Sequence, residues 1–309
     1  MKNKKIAVLM GGPSAEREVS LNTGSAILNA LLDKGYNAIG LDLEPNRIFE
    51  QLLANNIEVV FNAIHGKYGE DGVLQGVFEL LNIPYTGSGL LASAMAMDKA
   101  ISKRMFLSAD IPTPRSRLYD KDKSKQDITL EVSAEFGIPV VVKSSAQGSS
   151  IGVTIVESES QLPEAINQAF EYSDSILVEE FVVGKEVTVA VWGDQNPQAL
   201  PIIEIVPFSG KYDYKSKYTR GATEYIIPAK IDQETVSSVN QAANAAYKIL
   251  GCRGIARVDI IIDKQNKPYV LEVNTIPGMT ATSLVPKSAA AAGISFADLC
   301  ERLLLSATV

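Results

Sequence analysis

The chain has 309 residues, more than one ordinary hydrophobic core accommodates, so two or three domains are expected. Its net charge is −7 and it has no basic stripe, which argues against a nucleic-acid partner. No run of about 18 apolar residues is present, so no membrane span is expected.

The first apolar run, Ile6–Met10, is too short for a signal peptide. The two cysteines, Cys252 and Cys300, lack the spacing of a metal site, and two reduced, buried thiols are the simpler interpretation. We therefore expect a cytoplasmic protein that acts on a small molecule.

Strands and helices alternate in residues 1–95. The predicted strands are Ile6–Met10, Ala38–Leu43 and Val59–Ile64. The predicted helices are Val19–Leu31 and Gly72–Leu81. This alternation is typical of a parallel sheet flanked by helices, so an N-terminal α/β domain is expected. The dinucleotide-binding pattern G-x-G-x-x-G is not present after the first strand.

Residues 96–184 and 185–309 are expected to form a central and a C-terminal domain. One long helix is predicted at Leu90–Ala109, followed by helices near Leu130–Phe136 and at Gln161–Tyr172. The predicted strands are Val140–Lys143, Ile176–Glu179, Val187–Trp192, Ala199–Val206, Ile255–Ile262 and Tyr269–Val273. Strands are expected to dominate from Glu186 onward. The polar stretch Ser209–Thr223 predicts a loop able to cover a site.

Two strands near the C-terminal end carry the strongest chemical signal. Arg257 and Asp259 are two residues apart, as are Glu272 and Asn274, so each pair faces one side of its strand. Two carboxylates and an amide on a covered sheet face need a positive partner. Mg²⁺ held with nucleotide phosphates would supply it. An ion pair between Arg257 and one acid, with the other acid in solvent, is the structural alternative.

Three further segments have both a binding and a structural interpretation. Lys143 is followed by a small-residue loop, which suits a phosphate but equally an ordinary surface turn. Glu179, Phe181 and Val182 fit an adenine pocket or an acidic turn between strands. Glu16 lies where a helix begins, so capping alone would explain it.

The sole histidine, His65, ends a strand, and a structural role is an equal alternative for it. Lys217 and Tyr218 lie in the polar stretch, where solvent exposure would explain them.

Together these segments resemble the ATP-grasp superfamily, and within it the D-alanine–D-alanine ligases. The resemblance covers nearly the whole chain in the expected order. It rests on GGPSAEREVS, HGKYGEDGVLQG, YTGSG, MDK, VVVK with GSSIG, VEEF with GKE, DYKSKY, RVD and EVNTIPGMTATSL. It implies an ATP-grasp fold, with an N-terminal Rossmann-like parallel sheet, a central lid subdomain and a C-terminal sheet domain.

The resemblance also implies roles for individual residues. The implied nucleotide contacts are Lys99, Lys143, Lys217 and Ser149 near the phosphates, with Glu179, Phe181, Val182 and Glu186 at adenine and ribose. The implied ligands of two Mg²⁺, or Mn²⁺, are Asp259, Glu272 and Asn274. The implied substrate and catalytic residues are Glu16 with Ser149 and Tyr218, His65, Arg257 with Gly278, and Ser283 with Leu284.

The activity implied is the ADP-forming ligation of two D-alanine molecules through an acyl phosphate, for peptidoglycan synthesis, in a homodimer. Lys211 stands where the family usually has Phe, so the covering loop could meet the nucleotide differently. Tyr218, which D-lactate-using relatives tend to lose, favours an amine as the second substrate. The rival interpretations are a ligase for D-serine or another carboxylate, and a nucleotide-binding protein without catalysis.

Overall fold

The computed structural model describes residues 1–148, 152–208, 210, 219 and 221–309. This part of the chain forms one parallel and two antiparallel β-sheets with helices packed against them. The mixed α/β architecture expected from the sequence is confirmed. No helix in the described ranges has the length and apolarity needed to cross a membrane.

The N-terminal sheet is parallel, with strand order β2-β1-β3. Its strands are β1 (Ile6–Met10), β2 (Ala38–Asp42) and β3 (Val59–Asn62). Its helices are α1 (Arg17–Asp33), α2 (Ile48–Ala54) and α3 (Val73–Leu80). Every residue of β1 is buried, because helices cover both faces of the central strand.

The long helix predicted at Leu90–Ala109 was wrong, because the structure has two helices there. They are α4 (Leu90–Met97) and α5 (Lys99–Ser108). Asp98 leaves the helical conformation between them, and its carboxylate accepts hydrogen bonds from the backbone N–H groups of Ala100 and Ile101. A side chain that caps orphan N–H groups in this way starts a new helix. Lys99 therefore lies at a helix N-terminus.

The small sheet is antiparallel, with strand order β4-β7-β5-β6. Its strands are β4 (Ser116–Asp120), β5 (Val140–Ser144), β6 (Val153–Val156) and β7 (Ser175–Glu180). Helices α6 (Lys125–Glu135) and α7 (Leu162–Tyr172) close its core on one face. The sequence had not predicted β4 or β6, which are short and only partly apolar.

The large sheet is antiparallel, with order β11-β10-β8-β12-β13 and β9 added beside β8. Its strands are β8 (Gly184–Trp192), β9 (Gln198–Ala199), β10 (Ile203–Pro207), β11 (Thr223–Ile226), β12 (Ile255–Asp263) and β13 (Pro268–Asn274). Its helices are α8 (Gln233–Ile249), α9 (Leu284–Ala291) and α10 (Phe296–Leu305). The predicted strand Ala199–Val206 is thus two strands, interrupted at Pro201, which has no N–H to donate.

The N-terminal and large sheets share a hydrophobic core, whereas the small sheet has a core of its own. Phe106 of α5 packs with α8 against the large sheet, and Leu303 of α10 packs with Ile27 of α1 against the N-terminal sheet. The expectation that strands dominate after Glu186 omitted the C-terminal helices α8, α9 and α10. Division into residues 1–95, 96–184 and 185–309 stays a proposal, since α5 and α10 each pack on a sheet from another part of the chain.

Candidate active site

A pocket lies where the N-terminal sheet, α5 and the large sheet meet. It brings together many of the residues singled out in the sequence, although they come from distant segments. Its lining includes Glu16, His65, Lys99, Arg257, Glu272, Asn274, Gly278, Ser283 and Leu284. Asp259, on β12, is not part of this lining. Also outside it are Lys143 and Glu179 on the small sheet, Phe181 and Val182 between β7 and β8, and Glu186 near the start of β8.

Strands β12 and β13 hold the polar pairs in register. Arg257 is opposite Asn274 and Asp259 is opposite Glu272, so all four side chains lie on the same face of the sheet. The register then shifts by one residue, so that Ile260 faces Val270. A bulge at this point bends the strand next to the pocket.

Arg257 makes the ion pair that the structural alternative required. Its Nε and Nη2 lie 2.9 and 2.8 Å from Asp259 Oδ1 and Oδ2, a bidentate contact. Thr188 Oγ1 also donates to Asp259 Oδ1, at 2.6 Å. The second acid, Glu272, is 31% exposed and also has a cation beside it, because its Oε2 lies 3.3 Å from Lys99 Nζ. Each carboxylate therefore has a cation beside it.

The donor set fits a hard cation. Among the described residues no group of three or more His, Cys, Asp or Glu side chains could hold a metal ion. Asp259, Glu272 and the amide of Asn274 are oxygen donors on adjacent strands. Mg²⁺ is usually bound by one or two carboxylates completed by substrate phosphates and water, so two carboxylates and an amide suffice.

Lys99, in the pocket lining, contacts the loop after β5. Its Nζ donates to the backbone oxygen of Gln147 at 2.6 Å, and its side chain is almost fully buried. The next residue, Gly148, approaches Glu16 so closely that a Cβ there would lie 3.3 Å from Glu16 Oε2. The small residue thus lets the loop backbone approach the acid that precedes α1.

Lys143 and Glu179, predicted separately, contact each other. Lys143 Nζ lies 2.6 Å from Glu179 Oε2, and Lys103 Nζ lies 3.1 Å from Oε1. Burial alone would raise the pKa of the Glu179 carboxyl, but the two lysines lower it below its ordinary value. Sequence reasoning missed Lys103, although it lies four residues after Lys99 on the same helical face.

His65 belongs to a hydrogen-bonded chain at the pocket floor. Its Nε2 is 3.0 Å from Thr23 Oγ1 and its Nδ1 is 3.4 Å from Glu70 Oε1. The backbone N–H of Met279 donates to the same threonine oxygen, at 3.4 Å. Glu70 also lines the pocket and was missed, although it follows His65 by five residues in one loop.

The start of α9 forms the opposite wall. Ser283 precedes the helix, and its Oγ accepts a hydrogen bond from Thr280 N at 3.0 Å. A Cβ on Gly278 would lie 2.9 Å from that oxygen, so a larger residue would displace it. Leu284 is the first helical residue, and N–H groups at such a terminus favour a carboxylate.

Four predictions lie outside the described residues: Ser149, Lys217 and Tyr218, and the departure at Lys211. Most of the polar stretch expected to cover the site, Ser209–Thr223, lies outside them as well.

Comparisons with known proteins point to one family. The model described as "D-ala D-ala ligase C-terminus" matches residues 105–305, and the "D-ala D-ala ligase N-terminus" model matches residues 44–88. A relative from Pelotomaculum thermopropionicum, a D-alanine–D-alanine ligase, is 49% identical over 304 residues, 97% of this chain and 95% of the relative.

Solved structures agree. The chain is similar to the D-alanine–D-alanine ligase of Bacillus anthracis complexed with ATP, with a TM-score of 0.83 and 35% identity, covering 98% of this chain and 97% of the other. It is also similar to the VanG D-Ala:D-Ser ligase of Enterococcus faecalis, with a TM-score of 0.84 and 33% identity, covering 97% and 98%.

Proposed function

The chain belongs to the D-alanine–D-alanine ligase family, and we propose that the pocket between the N-terminal sheet, α5 and the large sheet is its active site. The protein is an ATP-dependent ligase that joins two D-alanine molecules into D-alanyl-D-alanine for the cell-wall precursor, releasing ADP and phosphate. The observation that carries the assignment is the convergence of Glu16, Arg257, Glu272 and Ser283 on one pocket.

The first D-alanine occupies the side of the pocket formed by the N-terminal sheet. Glu16 receives its ammonium group, and His65, fixed by Thr23 and Glu70, lies beside it. The resemblance assigns Ser149 and Tyr218 to the positioning of Glu16. A carboxylate oxygen of this D-alanine attacks the γ-phosphorus of ATP, the bond from that phosphorus to the β-phosphate oxygen breaks, and ADP leaves.

ATP lies between the small and large sheets. The resemblance assigns Lys99, Lys143, Lys217 and Ser149 to its phosphates. Glu179, Phe181 and Val182 frame the adenine and Glu186 holds the ribose. Asp259, Glu272 and Asn274 are the residues that would hold two Mg²⁺, or Mn²⁺. When bound, these ions would supply positive charge to the phosphates.

The second D-alanine occupies the side formed by α9. Ser283 Oγ and the N–H of Leu284 receive its carboxylate, and its amine attacks the carbonyl carbon of the acyl phosphate. Arg257 and the N–H of Gly278 stabilise the oxyanion that forms. The carbon–oxygen bond to phosphate then breaks, the amine loses its proton, and the dipeptide and phosphate are released. Water must stay out, since it would hydrolyse the acyl phosphate.

The direct test supplies ATP, Mg²⁺ and D-alanine to the purified protein and measures ADP and dipeptide together. Asp259→Ala should abolish nearly all turnover. Asp263→Ala, at the end of the same strand, should keep it, because the Asp263 carboxylate accepts hydrogen bonds from backbone N–H groups of its own turn. Turnover with L-alanine but not D-alanine, or an Asp259→Ala variant of full activity, would contradict the assignment.

A second candidate, ligation of D-alanine to D-serine, is favoured by the similarity to the VanG ligase. Competition between D-alanine and D-serine at equal concentration, with the products separated by mass, distinguishes the two. If D-alanyl-D-serine were the main product, the protein would be assigned as a D-alanine–D-serine ligase instead.

We further propose a cytoplasmic homodimer that associates through the N-terminal part of the chain. Leu80 and Leu91, at the end of α3 and in α4, are 76% and 67% exposed, and Val73 is 51% exposed. Apolar side chains exposed in neighbouring elements often mark an interface. Sedimentation equilibrium tests this: a Leu80→Glu variant should be monomeric, and a wild-type monomer at micromolar concentration would refute it.

A further inference from the structure

Lys103 is a charged residue almost completely buried within the protein. Its side chain is 2% exposed, and its Nζ donates to Thr113 Oγ1 at 2.7 Å and to the backbone oxygen of Pro114 at 2.9 Å. It also lies 3.1 Å from Glu179 Oε1. Buried ammonium groups are kept only where oxygen partners compensate their lost hydration.

These contacts join two sheets. Glu179 ends the apolar part of β7 in the small sheet, and Thr113 Oγ1 donates in turn to the backbone oxygen of Val270 in β13, at 2.8 Å. Lys103 therefore lies at the connection between the small and large sheets. In the proposed function, this is where the nucleotide is bound.

Glu179 is shared by two lysines of different accessibility. Lys143 contacts its other oxygen at 2.6 Å and is 11% exposed, against 2% for Lys103. In the proposed function Lys143 must also bind a phosphate. If Lys143 left Glu179 for that phosphate, the buried carboxylate would need another cation beside it. A buried carboxylate without a counter-charge is unfavourable in a low-dielectric interior.

We propose that Lys103 is a positioning residue: it remains on Glu179 as a permanent counter-charge, and this frees Lys143 to exchange Glu179 for a nucleotide phosphate. The inference rests on the proposed function, since it needs ATP between the two sheets. Lys103 itself touches neither substrate nor nucleotide, and it acts through Glu179 and Lys143.

The charges around Lys103 agree with this role. Burial lowers its pKa to about 8, while Glu179 opposes that shift and Lys143 adds to it. The charged groups facing it are Glu179 and Glu180 from β7 and Lys143 from β5. Lys103 is therefore mainly protonated at neutral pH and loses its charge above about pH 8. Nucleotide affinity should weaken over the same range.

The experiment compares Lys103→Met with Arg104→Met, which removes a positive charge from the adjacent, exposed position of α5. Lys103→Met should raise the KM for ATP about tenfold or more while kcat and the KM for D-alanine change little. Lys103→Arg, which keeps the charge, should recover part of the affinity. Arg104→Met should behave as wild type.

Nucleotide binding without D-alanine gives a second measurement that does not need a foldable Lys103→Met variant. The Kd of the wild type for ATP should rise severalfold between about pH 7 and 9, and that of Lys103→Arg should stay nearly constant, because a guanidinium keeps its proton. A wild-type Kd that does not change with pH, or Lys103→Met with the KM of Arg104→Met, would overturn the proposal. Absence of ADP release by the wild type with D-alanine would instead contradict the proposed function.

Discussion

Two glutamate–lysine contacts in this protein use the same residue types in different surroundings. Glu179 of the small sheet is 2% exposed and lies between Lys143 and Lys103. Glu272 of the large sheet is 31% exposed, lies 3.3 Å from Lys99 and lines the pocket. The first carboxylate is neutralised inside the protein, and the second faces the space where a ligand binds.

The difference shows that burial decides whether a carboxylate contributes mainly to stability or mainly to binding and catalysis. A carboxylate enclosed by protein needs permanent cations, and losing them destabilises the fold. A carboxylate at a pocket wall keeps water or a ligand as an alternative partner, so it can serve binding and catalysis at little cost to stability. The Glu272 carboxylate is thus expected to matter chiefly for activity, and the Glu179 carboxylate chiefly for stability.

The largest effect is expected for Glu272→Gln. ADP-forming activity should fall about 10³-fold, because the change removes a carboxylate that would hold the Mg²⁺ needed beside the nucleotide phosphates. The free energy of unfolding should change by no more than about 1 kcal/mol, since Lys99 keeps its hydrogen bond to Gln147. Steady-state ADP release and urea unfolding of the same preparation measure both. If Glu272→Gln unfolded at a much lower urea concentration than the wild type, Glu272 would contribute to stability as Glu179 does, contrary to this prediction.

A loss of about 3 kcal/mol in the free energy of unfolding is expected for Glu179→Gln, because two buried lysines then face each other without a carboxylate. Glu180→Gln is the matched control, since that neighbour pairs with the exposed Arg115 at the surface. Urea unfolding should separate the two variants clearly, and equal midpoints would show that the buried cluster does not contribute as described.

The smallest effect concerns pH. The lysines hold the pKa of Glu179 below its ordinary value, so the folded protein binds that proton less tightly than the unfolded chain. The resulting stability is fully present above the ordinary carboxyl pKa and is lost as the pH falls through the lower, folded-state value. Urea unfolding below about pH 5 should therefore bring wild type and Glu179→Gln closer together. If the difference in free energy of unfolding between wild type and Glu179→Gln did not change with pH, this prediction would be wrong.

Local patterns predicted several elements well. The apolar runs at Ile6–Met10 and Val140–Lys143 are strands, because short buried runs carry their own signal. The break at Asp98 could not be predicted in the same way. A long apolar-periodic stretch continues across it, and only the capping of two N–H groups separates the helices.

The candidate site was predicted unevenly. Residues within recognisable motifs, such as Arg257 and Asn274, were found, and the face that each shares with its neighbour two residues away follows from the alternation of side chains along a strand. That Arg257 lies opposite Asn274 depends on the register between the strands. Lys103 and Glu70 were missed, because no local pattern distinguishes a buried lysine or a pocket glutamate from exposed ones. Their importance follows from segments that are distant in sequence.

By itself, the sequence determined the family, the alternation of strands and helices in the N-terminal part and which residues of β12 and β13 share a face, because strand period and motif order are local properties of the chain. Only the tertiary structure decided which cation each carboxylate contacts: Lys103 and Lys143 for Glu179, Arg257 for Asp259 and Lys99 for Glu272. The strength of a charge interaction depends on burial and distance, and both are set by packing between sheets that lie far apart in the sequence.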